Sequence, residues 1–84
     1  MLYYVYLARC KDNSLYTGYT INLEKREKRH NDGTGARYTR VRRPISIVYY
    51  ETFESKSAAM KREYQVKQLK KSDKEKLVGN SNLI

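Results

Sequence analysis

The sequence predicts an α+β domain. It would hold a small, mainly antiparallel three-stranded sheet flanked by helices, in the order β-β-α-β-α with room for a short C-terminal helix. Three observations lead there. Two runs rich in Tyr, Val, Leu and Thr, residues 2–9 and 14–20, are close enough to form a hairpin. Two helical stretches, each preceded by a residue suited to N-capping, bracket a third strand, ISIVYYETF at 45–53. The 84 residues leave room for one such unit, a single domain over 1–84 with its core in 2–78 and a tail over 79–84.

Each element has a local reason. The hairpin strands are β-prone and are joined through Lys11-Asp12-Asn13-Ser14. Asn22 caps a short polar helix, Leu23–Asn31, whose early glutamate and later basic residues suit the helix dipole. Asp32-Gly33 stops it. Residues 33–44, GTGARYTRVRRP, read as a loop: two glycines, four arginines and a closing proline. After the third strand, Ser55 caps the longest predicted helix, Lys56–Lys71. Ser72 then caps a short helix, Asp73–Val78, before a tail ending in Leu83-Ile84.

Charge is the strongest compositional signal. Eighteen Lys+Arg against nine Asp+Glu give +9, with nine tyrosines and no tryptophan. The natural partners are nucleic acid, an acidic protein or an anionic surface. Tyrosine beside arginine suits stacking and phosphate contacts, which favours nucleic acid. One cysteine, Cys10, excludes an internal disulfide, and with a single histidine no Cys/His metal cluster can form. No apolar run approaches the roughly 18 residues of a membrane helix. A cytoplasmic protein with no membrane partner is expected.

The tyrosines pose a question of register. Tyr4 and Tyr6 share one face of the first strand, and Tyr16 and Gly18 share one face of the second. If opposed residue numbers sum to an even value, with Tyr6 opposite Gly18, Tyr6 and Tyr16 point the same way. A tight Asp12-Asn13 turn gives an odd sum and turns Tyr6 away. On the first helix Arg26 and His30 are four apart and share a face, either functional or merely solvated. On the long helix Glu63 lies on or beside the apolar stripe of Ala59 and Val66. A carboxylate there is costly unless it is paired or metal-bound, and Lys67, one turn on, offers a simple salt bridge.

Taken together, Tyr4-Val5-Tyr6, Tyr16-Thr17-Gly18-Tyr19-Thr20, the helix residues Leu23, Arg26, His30 and Asn31, and Glu63 resemble the GIY-YIG nuclease family over residues 3 to about 77. The two motif tyrosines stand ten apart, as in that family. The first motif reads YVY and the second YTG. The segments GARYTRVRRPISIVYYE and AAMKREYQVK look similar to small bacterial stand-alone members, which are themselves similar to the nuclease domain of SLX-type endonucleases. The resemblance implies a metal-dependent endonuclease hydrolysing phosphodiester bonds, of DNA in structure- rather than sequence-directed fashion. The alternatives on the same fold are a non-cleaving nucleic-acid-binding module and a basic adaptor.

The implied roles place Tyr6 and Tyr16 at the nucleophile, Arg26 at the phosphate, His30 in support and Glu63 at a divalent cation, Mg²⁺ or Mn²⁺, with Gly18 as the structural motif residue. A nearby cation or arginine would favour the tyrosine phenolate as a base. One carboxylate suffices for Mg²⁺ if water and substrate oxygens complete its octahedron. Arg37, Arg40, Arg42 and Arg43 are the expected phosphate grip, with Tyr38 available to stack on a base. Targeting would leave room for a protein partner.

Overall fold

The computed structural model describes residues 1–80. Strand β1 (Tyr3–Arg9) pairs antiparallel with β2 (Leu15–Thr20). Tyr6 lies opposite Gly18, so the sum is even and Tyr6 and Tyr16 share a face. The connection is not a two-residue turn. The Cys10 and Asn13 amides donate to the Ser14 and Cys10 carbonyls, both at 2.9 Å. The Asp12 carboxylate accepts from the Ser14 amide at 3.0 Å. Asn13 takes φ 71°, a left-handed conformation that asparagine tolerates.

Strand β3 (Ser46–Phe53) pairs antiparallel on the other side of β1, giving the order β2-β1-β3. Leu7 faces Tyr49 but Ala8 faces Ile47, so the chain bulges at Val48. The central strand is buried on both faces and carries two small cores. Val5 and Leu7 pack with Leu15, Ala59 and Val66 on one face. Tyr6, Ala8, Cys10 and Ile45 pack on the other, with Tyr16, Leu23 and Ile47 against them.

Helix α1 (Leu23–Asn31) covers the Tyr6 face. Its cap is as the sequence predicts: the Asn22 side chain accepts from the Lys25 amide at 3.0 Å. Asn31, at its end, clamps the Ile45 backbone, donating to its carbonyl at 3.0 Å and accepting from its amide at 2.7 Å. The segment expected to be wholly loop contains one helical turn, α2 (Arg37–Arg40). Burial of Thr39, whose hydroxyl donates to the Ala36 carbonyl at 2.9 Å, fixes that turn.

Helix α3 (Lys56–Lys67), capped by Ser55 onto the Ala58 amide, covers the Val5/Leu7 face through Ala59 and Val66. It ends four residues before the expected Lys71. Helix α4 (Lys71–Gly79) then starts two residues before the expected Asp73 and has no side-chain cap from Ser72. This lysine-rich stretch carries no Gly or Pro stop, so tertiary packing decides. Leu69, Leu77 and Val78 all reach the core only if the chain turns between the helices. Arg9 also ties α4 to the sheet by donating from both terminal nitrogens to the Glu75 carboxylate. Of the expected tail, Gly79 closes α4 and Asn80 caps it, while Asn82 and Leu83-Ile84 lie outside the described residues.

Candidate active site

Strand pairing places a residue without a side chain beside Tyr6, the largest fully buried side chain among the described residues. A Cβ on Gly18 would stand 2.5 Å from the Tyr6 hydroxyl oxygen and 2.6 Å from its Cζ. The Tyr6 ring therefore occupies the space above Gly18, and its hydroxyl is carried across to β2, whose far side carries no strand among the described residues. There the hydroxyl meets His30 Nε2 at 2.8 Å, while His30 Nδ1 meets Thr39 Oγ1 at 2.7 Å. Tyr6 and His30 are each only 1% exposed. Gly35 completes the fit, since a Cβ there would lie 2.6 Å from His30 Nδ1.

Proton counting orients this chain. The single Thr39 hydroxyl proton goes to the Ala36 carbonyl, so Thr39 Oγ1 accepts from His30 Nδ1–H. Burial, then the nearby charges of Arg26 and Arg29, push the His30 pKa down and keep the ring neutral. Nε2 is then bare and accepts from the Tyr6 hydroxyl. The Tyr6 pKa is pushed up, chiefly by burial, against the opposing pull of Arg26. Arg26 pulls towards the phenolate, as expected of a nearby arginine, but desolvation outweighs it and Tyr6 is a neutral hydrogen-bond donor.

Tyr16 is the more accessible of the two. It is half-buried, with its ring 6.4 Å from that of Tyr6 and edge-on to His30 at 5.3 Å. Arg26, one turn before His30 on α1, acts electrostatically on the Tyr6 hydroxyl, and its Nε is buried with no partner among the described residues. Glu63 arrives from the opposite face on α3, yet its charge also acts on Tyr6. Its side chain is 19% exposed and holds Lys67 at a loose 3.5 Å. Tyr6, Tyr16, Arg26 and His30 are therefore brought together, with Glu63 in electrostatic reach.

The arginine segment divides. Tyr38 stacks on Tyr16 at 5.9 Å, and the Arg42 guanidinium lies over the Tyr38 ring at 3.9 Å. The ring expected to receive a base therefore has two partners within the protein, while it stays 39% exposed. Arg42 also pairs with Asp12 at 3.0 Å, and Arg43 donates to the Arg40 and Asn31 carbonyls. The exposed Arg37 and Arg40 side chains have no such partner among the described residues. Thr39 and Gly35 were not singled out from the sequence. The one available signal was a second glycine five residues after His30, in a segment otherwise explained by its charge.

A divalent cation at this site would take Glu63 as its protein donor. Among the described residues no three His, Cys, Asp or Glu side chains cluster to hold one. Glu63 offers a hard oxygen donor whose partner is a lysine at long range, which suits an ion that completes its shell with water and substrate.

The neutral, buried imidazole sets a pH dependence. A folded-state pKa below the unfolded value of about 6.5 means that the unfolded chain binds more protons, so stability rises with pH through that window. Stability is expected to fall as pH drops from 7.5 to 5.5, above the range where carboxylates such as Glu75 titrate. Urea midpoints across that range should show the loss, and a His30→Gln variant should lack it. An equal slope in the variant would refute the assignment, because His30 is the sole histidine.

Comparison with known proteins identifies the family. A family model described as the GIY-YIG catalytic domain matches residues 2–76. A UPF0213 protein of Staphylococcus haemolyticus is 55% identical over 76 residues, covering 90% of this chain and 93% of the relative. One from Clostridium perfringens is 52% identical over 80 residues, covering 95% and 86%. Among solved structures, the solution NMR structure of a UPF0213 protein from Bacillus halodurans is 49% identical, covers 94% of this chain and 84% of its own, and superposes with a TM-score of 0.60. That of a protein from E. faecalis is 41% identical, covers 90% and 81%, and gives 0.62. The likeness to SLX-type domains rests on the sequence segments alone. The chain belongs to the GIY-YIG family of nuclease-type catalytic domains, among small UPF0213 relatives.

Proposed function

We propose that this protein is a metal-dependent endonuclease that hydrolyses phosphodiester bonds in DNA, reading structure rather than sequence. The convergence of Tyr6, Tyr16, Arg26 and His30 at β2, with Glu63 in electrostatic reach, carries the reading. Arg26 binds the scissile phosphate. The planar fork of its guanidinium suits two phosphate oxygens. Tyr16, the more accessible hydroxyl, aligns the attacking water, whose proton passes through it to solvent. Tyr6 is a positioning residue. Its hydroxyl fixes the neutral imidazole of His30, which in turn holds the Tyr16 ring edge-on.

Glu63 would hold Mg²⁺ or Mn²⁺, which when bound supplies Lewis-acid charge to the phosphate and leaving oxygen. The bond from water oxygen to phosphorus forms, the bond to the sugar oxygen breaks, and that oxygen takes a proton from solvent. The exposed Arg37 and Arg40 extend the phosphate contacts. The reading also carries a DNA partner in the cytoplasm and a single catalytic domain, with a protein partner for targeting.

Nicking of supercoiled and branched DNA in Mg²⁺ or Mn²⁺, with chelator as control, tests the proposal. The wild type should cleave in either metal. Tyr16→Phe should lose about 10²–10⁴-fold, the usual worth of general acid–base catalysis. Absence of cleavage on every substrate, with retained salt-dependent DNA binding, would instead select the non-cleaving module.

A further inference from the structure

Beside Tyr16 lies a concave site whose lysines the chemistry above does not use. A pocket of about 330 Å³ is lined by Leu15, Tyr16, Thr17, Tyr38, Lys67 and Lys74. The two lysines come from different helices, α3 and α4, and meet over the same end of β2. Lys74 is half-buried and has no acidic partner among the described residues. The acids flanking it on α4 are committed elsewhere: Glu75 to Arg9 and Lys71, and Asp73 to Lys76 at 3.8 Å.

Two ammonium groups sharing a pocket repel one another, and the one counter-charge near them among the described residues is Glu63, loosely paired with Lys67 at 3.5 Å. Burial, and then the charge of Lys67, push the Lys74 pKa down. The hydroxyl of Thr17, which also lines the pocket, is buried with no hydrogen-bond partner among the described residues. An anion between the ammoniums would relieve the repulsion. The pocket shares Tyr16 with the reaction centre, so the anion it takes is continuous with the substrate.

We propose that Lys67 and Lys74 form a clamp for a nucleic-acid phosphate next to the scissile one, seating the strand along the open side of β2 beside Tyr16. The clamp rests on the nuclease reading for its place in the substrate, but binding alone can test it. Lys74 is the residue to change, because Lys67 also touches Glu63.

The probe is a short oligothymidylate titrated into the intact protein without divalent metal, at several salt concentrations. Lys74→Gln should reduce the magnitude of the log K against log salt slope by about 0.7 for a single strand. That corresponds to roughly fivefold weaker binding at 0.1 M salt. Lys74→Arg keeps the charge and should keep the slope. In the wild type, amide resonances of Leu15–Thr17, Lys67 and Lys74 should shift with ligand. A folded Lys74→Gln protein with an unchanged slope, or ligand shifts confined to α1 and α2, would overturn the clamp. If no DNA is cleaved but the Lys74 slope change is seen, the nuclease reading fails and the clamp stands. If DNA is cleaved and the slope is unchanged, the reverse holds.

Discussion

Replacing Glu63 by glutamine is expected to abolish cleavage while leaving a folded protein that binds DNA at least as tightly as the wild type. The loss should be about a thousandfold or more, since a cation at a phosphoryl oxygen supplies several kcal/mol of transition-state stabilisation at 1.36 kcal/mol per decade. The structural cost should be small. Glu63 has one ionic partner, Lys67 one turn on at 3.5 Å, and the lysine side chain is 49% exposed. Such pairs contribute about 0.3–0.5 kcal/mol. Removing a negative charge from a phosphate-binding surface also removes repulsion, so affinity should hold or rise. Cleavage rates, urea midpoints and metal-free DNA affinity together decide the matter. Retained cleavage would make Glu63 a salt-bridge residue, and loss of folding would make it a structural one.

Glu63 also shows how far the sequence reaches. Its position one turn from Ala59 and near Val66 places it beside the buried stripe, and the structure has it there. What the sequence did not contain was its relation to Tyr6, because the two come from opposite faces of the sheet. The strands and the Asn22 and Ser55 caps were legible because alternation and capping are local. Register was not, because Asp12-Asn13 could serve either a short or a long turn. The burial of Tyr6 was not legible either: charged neighbours can be read from spacing, whereas burial depends on how α1 and α2 close over the strand. The arginines of 33–44 were legible only as a total charge. Which of them faces solvent depends on Asp12 and Tyr38, and those contacts take up Arg42.

The other large effect is expected at Gly18. Alanine there should cost about 1–3 kcal/mol, the range for overpacking a filled site, and should also suppress cleavage. At about 4–8 °C per kcal/mol for a domain of this size, the thermal midpoint should fall clearly. The backbone is not the reason, since Gly18 has no left-handed conformation to protect. In a strand, alanine would on its own be worth roughly 0.5–1 kcal/mol over glycine. The penalty comes from the Tyr6 ring, with its hydroxyl at 2.5 Å and Cζ at 2.6 Å from the new methyl. That ring is buried and held by His30, so it can escape only by giving up the hydrogen bond that orients the imidazole. A double-mutant cycle isolates this cause. In a Tyr6→Val background the space above residue 18 is vacated, and Gly18→Ala should become neutral or stabilising. Additive losses in the double variant would mean that the glycine serves the strand itself, and the link between the second motif and the first would have to be sought elsewhere.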